Sequence, residues 1–201
     1  MARINNATLE LIARDYRSVL NDDWRQLKKD EFWRFSGPIA QLLHLDRLRT
    51  EEYRPSFSIA VLTWPSKTIG GELLQFLSLR NERMSYVMHQ KKLPELISVI
   101  KAEVFFNPFE PINVEGVYRF YSQKAPKKVH QAASLASLAA YLKNYDDYGK
   151  WLKLLRPLIE EYKEKYSELS LFFDKLEKTS KYEMQEILEN QISLQKKIMK
   201  L

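Results

Sequence analysis

Residues 31–47 read EFWRFSGPIAQLLHLDR. Two dense apolar runs, Phe32-Trp33-Arg34-Phe35 and Ile39 to Leu45, flank Ser36-Gly37-Pro38. Gly37 supplies the backbone freedom a reversal needs and Pro38 blocks a helix, so this stretch predicts paired strands over 31–35 and 39–47. After a charged loop over 48–55, residues 56–64 alternate. Phe57, Ile59, Val61 and Thr63 take one face, and Ser58, Ala60, Leu62 and Trp64 the other, which predicts a third strand. Beyond Pro65 and Gly70-Gly71, residues 72–79 fit a fourth strand, although their leucines suit a helix equally.

Working outward, Asn6 caps a first helix whose stripe is Leu9, Ile12, Tyr16, Val19 and Leu20. Asp23 and Gln26 suggest a short helical turn carrying Trp24 and Leu27. Pro94 suits the first turn of a helix bearing Leu96, Ile97 and Ile100. Two prolines within four residues make 105–111 an irregular aromatic loop plugged into the core, and 117–121 reads as an edge strand.

From Val129 onward the apolar residues recur at helical spacing. The Ala- and Leu-rich run 134–142 predicts a helix buried on more than one side, and Asn144 with Asp147 begins another through Trp151, Leu152 and Leu155, which Pro157 stops or kinks. Tyr162, Tyr166, Leu169, Phe173 and Leu176 then form one heptad seam. A capping box at Ser180 and Glu183 opens a last helix with the seam Met184, Ile187, Gln191, Leu194, Ile198 and Leu201. The fold class is therefore α+β, a small antiparallel sheet of about four strands flanked by helices, followed by a C-terminal helical hairpin. The expected division is an α+β domain over 1–156 and a helical appendage over 157–201.

At 201 residues with 45% hydrophobic content, the chain can bury a sizeable core without staples. It has no cysteine, which removes disulfides, thiol nucleophiles and thiolate metal sites and fits a reducing compartment. The first residues lack the apolar run of a signal peptide, and no stretch reaches the roughly 18 apolar residues of a membrane span. The expectation is a cytoplasmic protein with no membrane partner.

Reactive motifs are absent. His44 and Asp46 fall on one face of a strand, the arrangement of a held general base, but such a pair is also an ordinary surface feature. No histidine has a companion at metal-ligand spacing, there is no Gly-x-Ser-x-Gly elbow, and Gly70-Gly71 lacks the rest of a phosphate-binding loop. Glu161-Tyr162-Lys163 matches the end of a nuclease motif only in letters, because that motif needs a strand. The sequence thus predicts no catalytic residue, no metal and no cofactor.

Charge is the stronger signal. Residues 119–156 carry Arg119, Lys124, Lys127, Lys128, Lys143, Lys150, Lys153 and Arg156 against Asp146 and Asp147 alone, which accounts for the whole net charge of +6. Arg119, Tyr121, Lys124, Lys127, Lys128, Lys150, Lys153 and Arg156 are accordingly the candidate binding residues. Tyr118-Arg119-Phe120-Tyr121 interleaves aromatics with cations, as a nucleic-acid surface does. Beside the C-terminal seams lie further apolar residues that a two-helix hairpin alone does not cover. Leu188, Ile192 and Met199 are the candidates for packing on the body or for self-association.

The order of Phe32-Trp33-Arg34-Phe35, an apolar strand ending in Leu45-Asp46-Arg47, a loop, and Phe57-Ser58-Ile59-Ala60-Val61 resembles the opening of a family of uncharacterised bacterial α+β domains found near polymorphic-toxin systems. The resemblance spans about residues 8–155 and brings no active-site residue with it. It implies an immunity-like protein that neutralises a toxin by binding it. The expected function is non-enzymatic binding of another protein. A nucleic-acid binder using 118–156 is the alternative, and a divergent hydrolase or nuclease the second alternative.

Overall fold

The computed structural model describes residues 3–66, 73–75, 83–103 and 106–199. The fold is α+β. Among these residues it contains α1 (Asn6–Val19), β1 (Arg25–Lys28), β2 (Glu31–Ser36), β3 (Ile39–Arg47), β4 (Glu52–Val61), β5 (Leu73–Gln75), β6 (Met84–Ser85), α2 (Tyr86–Glu103), α3 (Val114–Ser122), α4 (Val129–Tyr141), α5 (Tyr145–Glu161), α6 (Ser167–Lys178) and α7 (Lys181–Ile198). The antiparallel sheet runs β1-β2-β3-β4-β5, and β6 also pairs with β4. The 31–47 hairpin forms as expected, with Gly37 at a positive φ of 54°.

The third strand starts earlier than the alternation implies, at Glu52, and contains Pro55. Glu52 and Tyr53 pair with β6, and Phe57 to Ile59 pair with β5. Pro55 falls between these two pairings, where its missing N–H costs no described ladder bond. Of the expected fourth strand, β5 is described; the rest of 72–79 lies outside the described residues, as do Gly70-Gly71, Phe105 and Leu201.

Four expectations fail for local reasons. The first helix is capped by Asn5, whose side chain accepts from Thr8 N–H (2.8 Å). The turn expected around Trp24 and Leu27 is β1, because Arg25 and Gln26 pair with Trp33 and Phe32. Pro94 lies inside α2, which starts eight residues earlier, where Ser85 Oγ accepts from Met88 N–H (3.3 Å). Burial of Leu96 and Ile100 offsets the helix bond that Pro94 removes. The expected edge strand over 117–121 is α3, because Asn113 caps it by accepting from Gly116 N–H (3.0 Å).

The chain forms two compact units. One comprises Met1–Ser36, Ala40–Ile59 and Leu73–Ile112, and the other Gly37–Ile39, Ala60–Glu72 and Asn113–Leu201. Residues on both sides of Pro157 belong to the second unit, and α5 runs through that proline to Glu161.

The core of the first unit joins α1 (Leu9, Ile12, Tyr16) to Phe32, Leu43, Leu45, Tyr53 and Phe57 of the sheet and to Leu96 and Ile100 of α2. Arg34 is buried here. It donates to the Glu110 carbonyl (2.6 Å), the Asn107 carbonyl (3.3 Å) and Gln41 Oε1 (2.7 Å). Gln41 in turn donates to the Phe106 carbonyl (2.8 Å), and Trp24 Nε1 to that of Pro108 (2.9 Å). These bonds hold the irregular loop, and Phe109 packs against the core as the aromatic composition implied.

In the second unit α4 is buried from Ala132 to Ala140 without a break. Thr63 donates to Ser137 Oγ (2.6 Å) and Trp64 Nε1 to Ser134 Oγ (3.0 Å), so the polar atoms of 63–64 are satisfied as they dock on α4. The expected helix from Leu158 is interrupted at 162–166, where the chain turns; α6 keeps Leu169, Phe173 and Leu176 buried, while Tyr162 is exposed.

Candidate functional site

The basic stretch lies in the second unit. Lys124, Lys127 and Lys128 occupy the connection from α3 to α4, and all three are exposed. Lys127 N–H donates to Gln131 Oε1 (3.1 Å), and Lys128 sits at the α4 N-cap without a side-chain capping bond. His130, half-buried in the first turn, is held below its ordinary pKa by burial and by the charges of Lys128 and Lys165. Lys165 comes from the turn between α5 and α6, a contribution that no spacing in the sequence announces. Lys124, Lys127, Lys128 and Lys153 make no ion pair among the described residues.

The other expected binding residues are occupied. Arg119 pairs with Glu115 one turn away (2.6 Å). Arg156 is half-buried between Asp174 (2.7 Å) and Glu177, which ties α5 to α6. Lys150 is exposed but lies over the Trp151 ring (4.3 Å). Tyr121 is half-buried, and burial pushes its hydroxyl pKa up. Tyr118, the first of the interleaved aromatics, is buried: it donates to Asp147 Oδ2 (2.6 Å) and accepts from Trp151 Nε1 (2.8 Å). It anchors α3 on α5 and offers no face to a base.

Leu188, Ile192 and Met199 are the residues expected to pack on the body or to self-associate. Leu188 and Ile192 are buried within the unit, and Met199 is half-buried. The inward stripe of α7 is Met184, Leu188, Gln191, Ile192 and Gln195, whereas Leu194 and Ile198 of the expected seam are exposed. Gln191 Nε2 donates to the Gln195 side-chain oxygen (2.9 Å), and the Gln195 amide exchanges bonds with the backbone of Ser66 (3.3 and 3.0 Å). These bonds make it possible to bury two glutamines, and they fix which face of α7 turns inward.

In the first unit His44 and Asp46, weighed as a held general base, do not pair with each other. Asp46 pairs with Arg54 (3.1 Å), and His44 instead faces Asp30 and Glu31. A second polar chain runs from Asp15 Oδ2 to His89 Nε2 (3.3 Å), from His89 Nδ1 to the Tyr53 hydroxyl (2.5 Å), and on to the Tyr16 hydroxyl (3.3 Å). It has the order of a relay, but Tyr16, Tyr53 and His89 are all 0% exposed, so no substrate atom reaches them. Its role is to satisfy buried polar groups between α1, β4 and α2.

That chain has a consequence for pH. Burial lowers the His89 pKa from its ordinary 6.5, and Asp15 offsets this only in part. The unfolded chain therefore binds the proton more readily. Stability is full above pH 6.5 and falls as pH drops through the lowered folded value. Urea unfolding between about pH 7.5 and pH 5 is expected to show this fall. His89→Gln flattens it without abolishing it, because the His130 pKa is lowered too. An unchanged slope in His89→Gln would contradict the assignment.

Comparisons of the chain with protein-family models, with curated proteins and with solved structures find no match.

Proposed function

We propose that this chain is a non-enzymatic binding protein that recognises an acidic surface on another protein through segment 124–128 and the start of α4. The observation that carries this reading is the uncompensated positive field there. Among the described residues Lys124, Lys127 and Lys128 are exposed without ion-pair partners, and the charges of Lys128 and Lys165 add to burial in lowering the pKa of His130. Such a field steers an oppositely charged partner and penalises wrong ones. A toxin is the class of partner that the family resemblance favours. The burial of Tyr118 and the pairing of Arg119 weigh against base stacking.

The test is charge reversal. Lys124→Glu, Lys127→Glu and Lys128→Glu, combined in one variant, are expected to leave thermal stability nearly unchanged because all three side chains are exposed. The tagged wild-type chain is expected to retain a protein partner from its host through purification, and the triple variant to bind that partner at least about tenfold more weakly. Equal retention by both chains would overturn the reading. Fluorescence anisotropy with labelled single- and double-stranded oligonucleotides separates the alternative. Tight binding that collapses between about 50 and 200 mM salt would replace a protein partner with a nucleic acid.

A further inference from the structure

Asp30 closes the turn between β1 and β2, Glu31 opens β2, and His44 lies on β3. The bond from Leu45 N–H to the Asp30 carbonyl (2.8 Å) holds β3 against that turn. One oxygen from each carboxylate and one imidazole nitrogen lie within 4.8 Å of one another, and all three residues are half-buried.

We propose that Asp30, Glu31 and His44 form a binding site for a divalent transition metal, with Zn²⁺ as the fitting ion. Three observations carry this. The donor set mixes two oxygens with an imidazole nitrogen, which suits Zn²⁺ with a water in the fourth position; Ca²⁺ takes six to eight oxygens and Mg²⁺ an octahedral oxygen shell. The ligands stand on paired strands and a tight turn, so the ion would be met by an assembled site. Both carboxylates are oriented by donors outside the trio: Trp33 Nε1 (3.3 Å) on Glu31, and Arg47 Nε (3.3 Å) on Asp30. A carboxylate oxygen has two lone pairs, so these bonds leave each group able to bind an ion, as outer donors do around metal ligands.

Lys28 is the cation that balances Glu31, and its side chain is 67% exposed. It can swing into water when Zn²⁺ binds, so ion and ammonium compete for one carboxylate. Removing the lysine is therefore expected to tighten the site. A purely structural ion pair would give no such gain.

The experiment is calorimetric titration of the full chain with ZnCl₂, alongside the visible ligand-field spectrum with Co²⁺. The wild type is expected to bind one equivalent, with intense tetrahedral Co²⁺ bands. His44→Ala and Glu31→Gln each weaken binding at least about tenfold, Lys28→Met strengthens it, and His130→Ala leaves it unchanged. Absence of saturable binding, or binding indifferent to both His44→Ala and Glu31→Gln, would overturn the proposal. Using two ligand variants keeps the test decisive should either one fold poorly.

Discussion

Arg34→Ala is expected to lower the free energy of unfolding by about 3–5 kcal/mol and the melting temperature by roughly 10 °C. The substitution removes three donated bonds at once. It leaves Gln41 Oε1 and the Glu110 carbonyl without this donor and the Asn107 carbonyl with the Glu110 N–H (3.2 Å), and it opens space beside the Trp24 ring, over which the guanidinium stands at 5.3 Å. Burial lowers the Arg34 pKa, Asp23 offsets this only in part, and its Nε has no acceptor among the described residues. The native state therefore pays to keep this cation, and the return is a fixed loop. Arg34→Lys rescues little, because one ammonium cannot span acceptors that a planar fork reaches together. Arg34→Met, which restores volume but no donor, falls between the two. Urea unfolding checks the magnitude, and hydrogen exchange across 106–112 checks the cause. A loss below about 1 kcal/mol in Arg34→Ala would mean the loop is held by other contacts.

The second large effect distinguishes two leucines on one helix. Leu188→Ala is expected to cost about 2–5 kcal/mol, because the side chain is 0% exposed and truncation leaves a cavity. Leu194→Ala is expected to change stability by less than about 0.5 kcal/mol, because that side chain is 51% exposed. The heptad pattern places Leu194 on the seam and predicts a large cost for Leu194→Ala as well. Chemical denaturation of the two variants decides it, and equal costs would reject the inward face assigned to α7.

The exposure of Leu194 shows where pattern reading runs out. Leu188 and Leu194 belong to two apolar stripes of nearly equal strength, Met184-Leu188-Ile192 and Ile187-Leu194-Ile198. Periodicity cannot choose between them. The choice rests on Gln195 meeting the backbone of Ser66, a contact across 129 positions of chain. Several local signals were legible, namely the hairpin at Gly37, the caps at Asn144 and Ser180, and the burial of α4 on more than one side. Residues 117–121 misled because aromatic density looks like a strand when the cap four residues upstream is not weighed. Of the basic site, Lys124, Lys127 and Lys128 were visible as a run, whereas Lys165 reaches His130 only through the turn after α5. The trio around His44 has no linear spacing to find, because pairing of β3 with the preceding turn creates it.

The interleaving of the two units has a bearing on how the protein is made. The apolar face of α1 shares its core with Leu96 and Ile100, and residues 37–39 and 60–72 belong to a unit completed only by α7. At about 5–20 residues per second, a ribosome needs roughly 5–20 s to deliver α2 after α1 has emerged. Throughout that interval the nascent chain displays the strands of 31–61 with α1 but without α2 to cover them. Co-translational chaperone engagement should therefore peak before residue 100 clears the exit tunnel and subside after it.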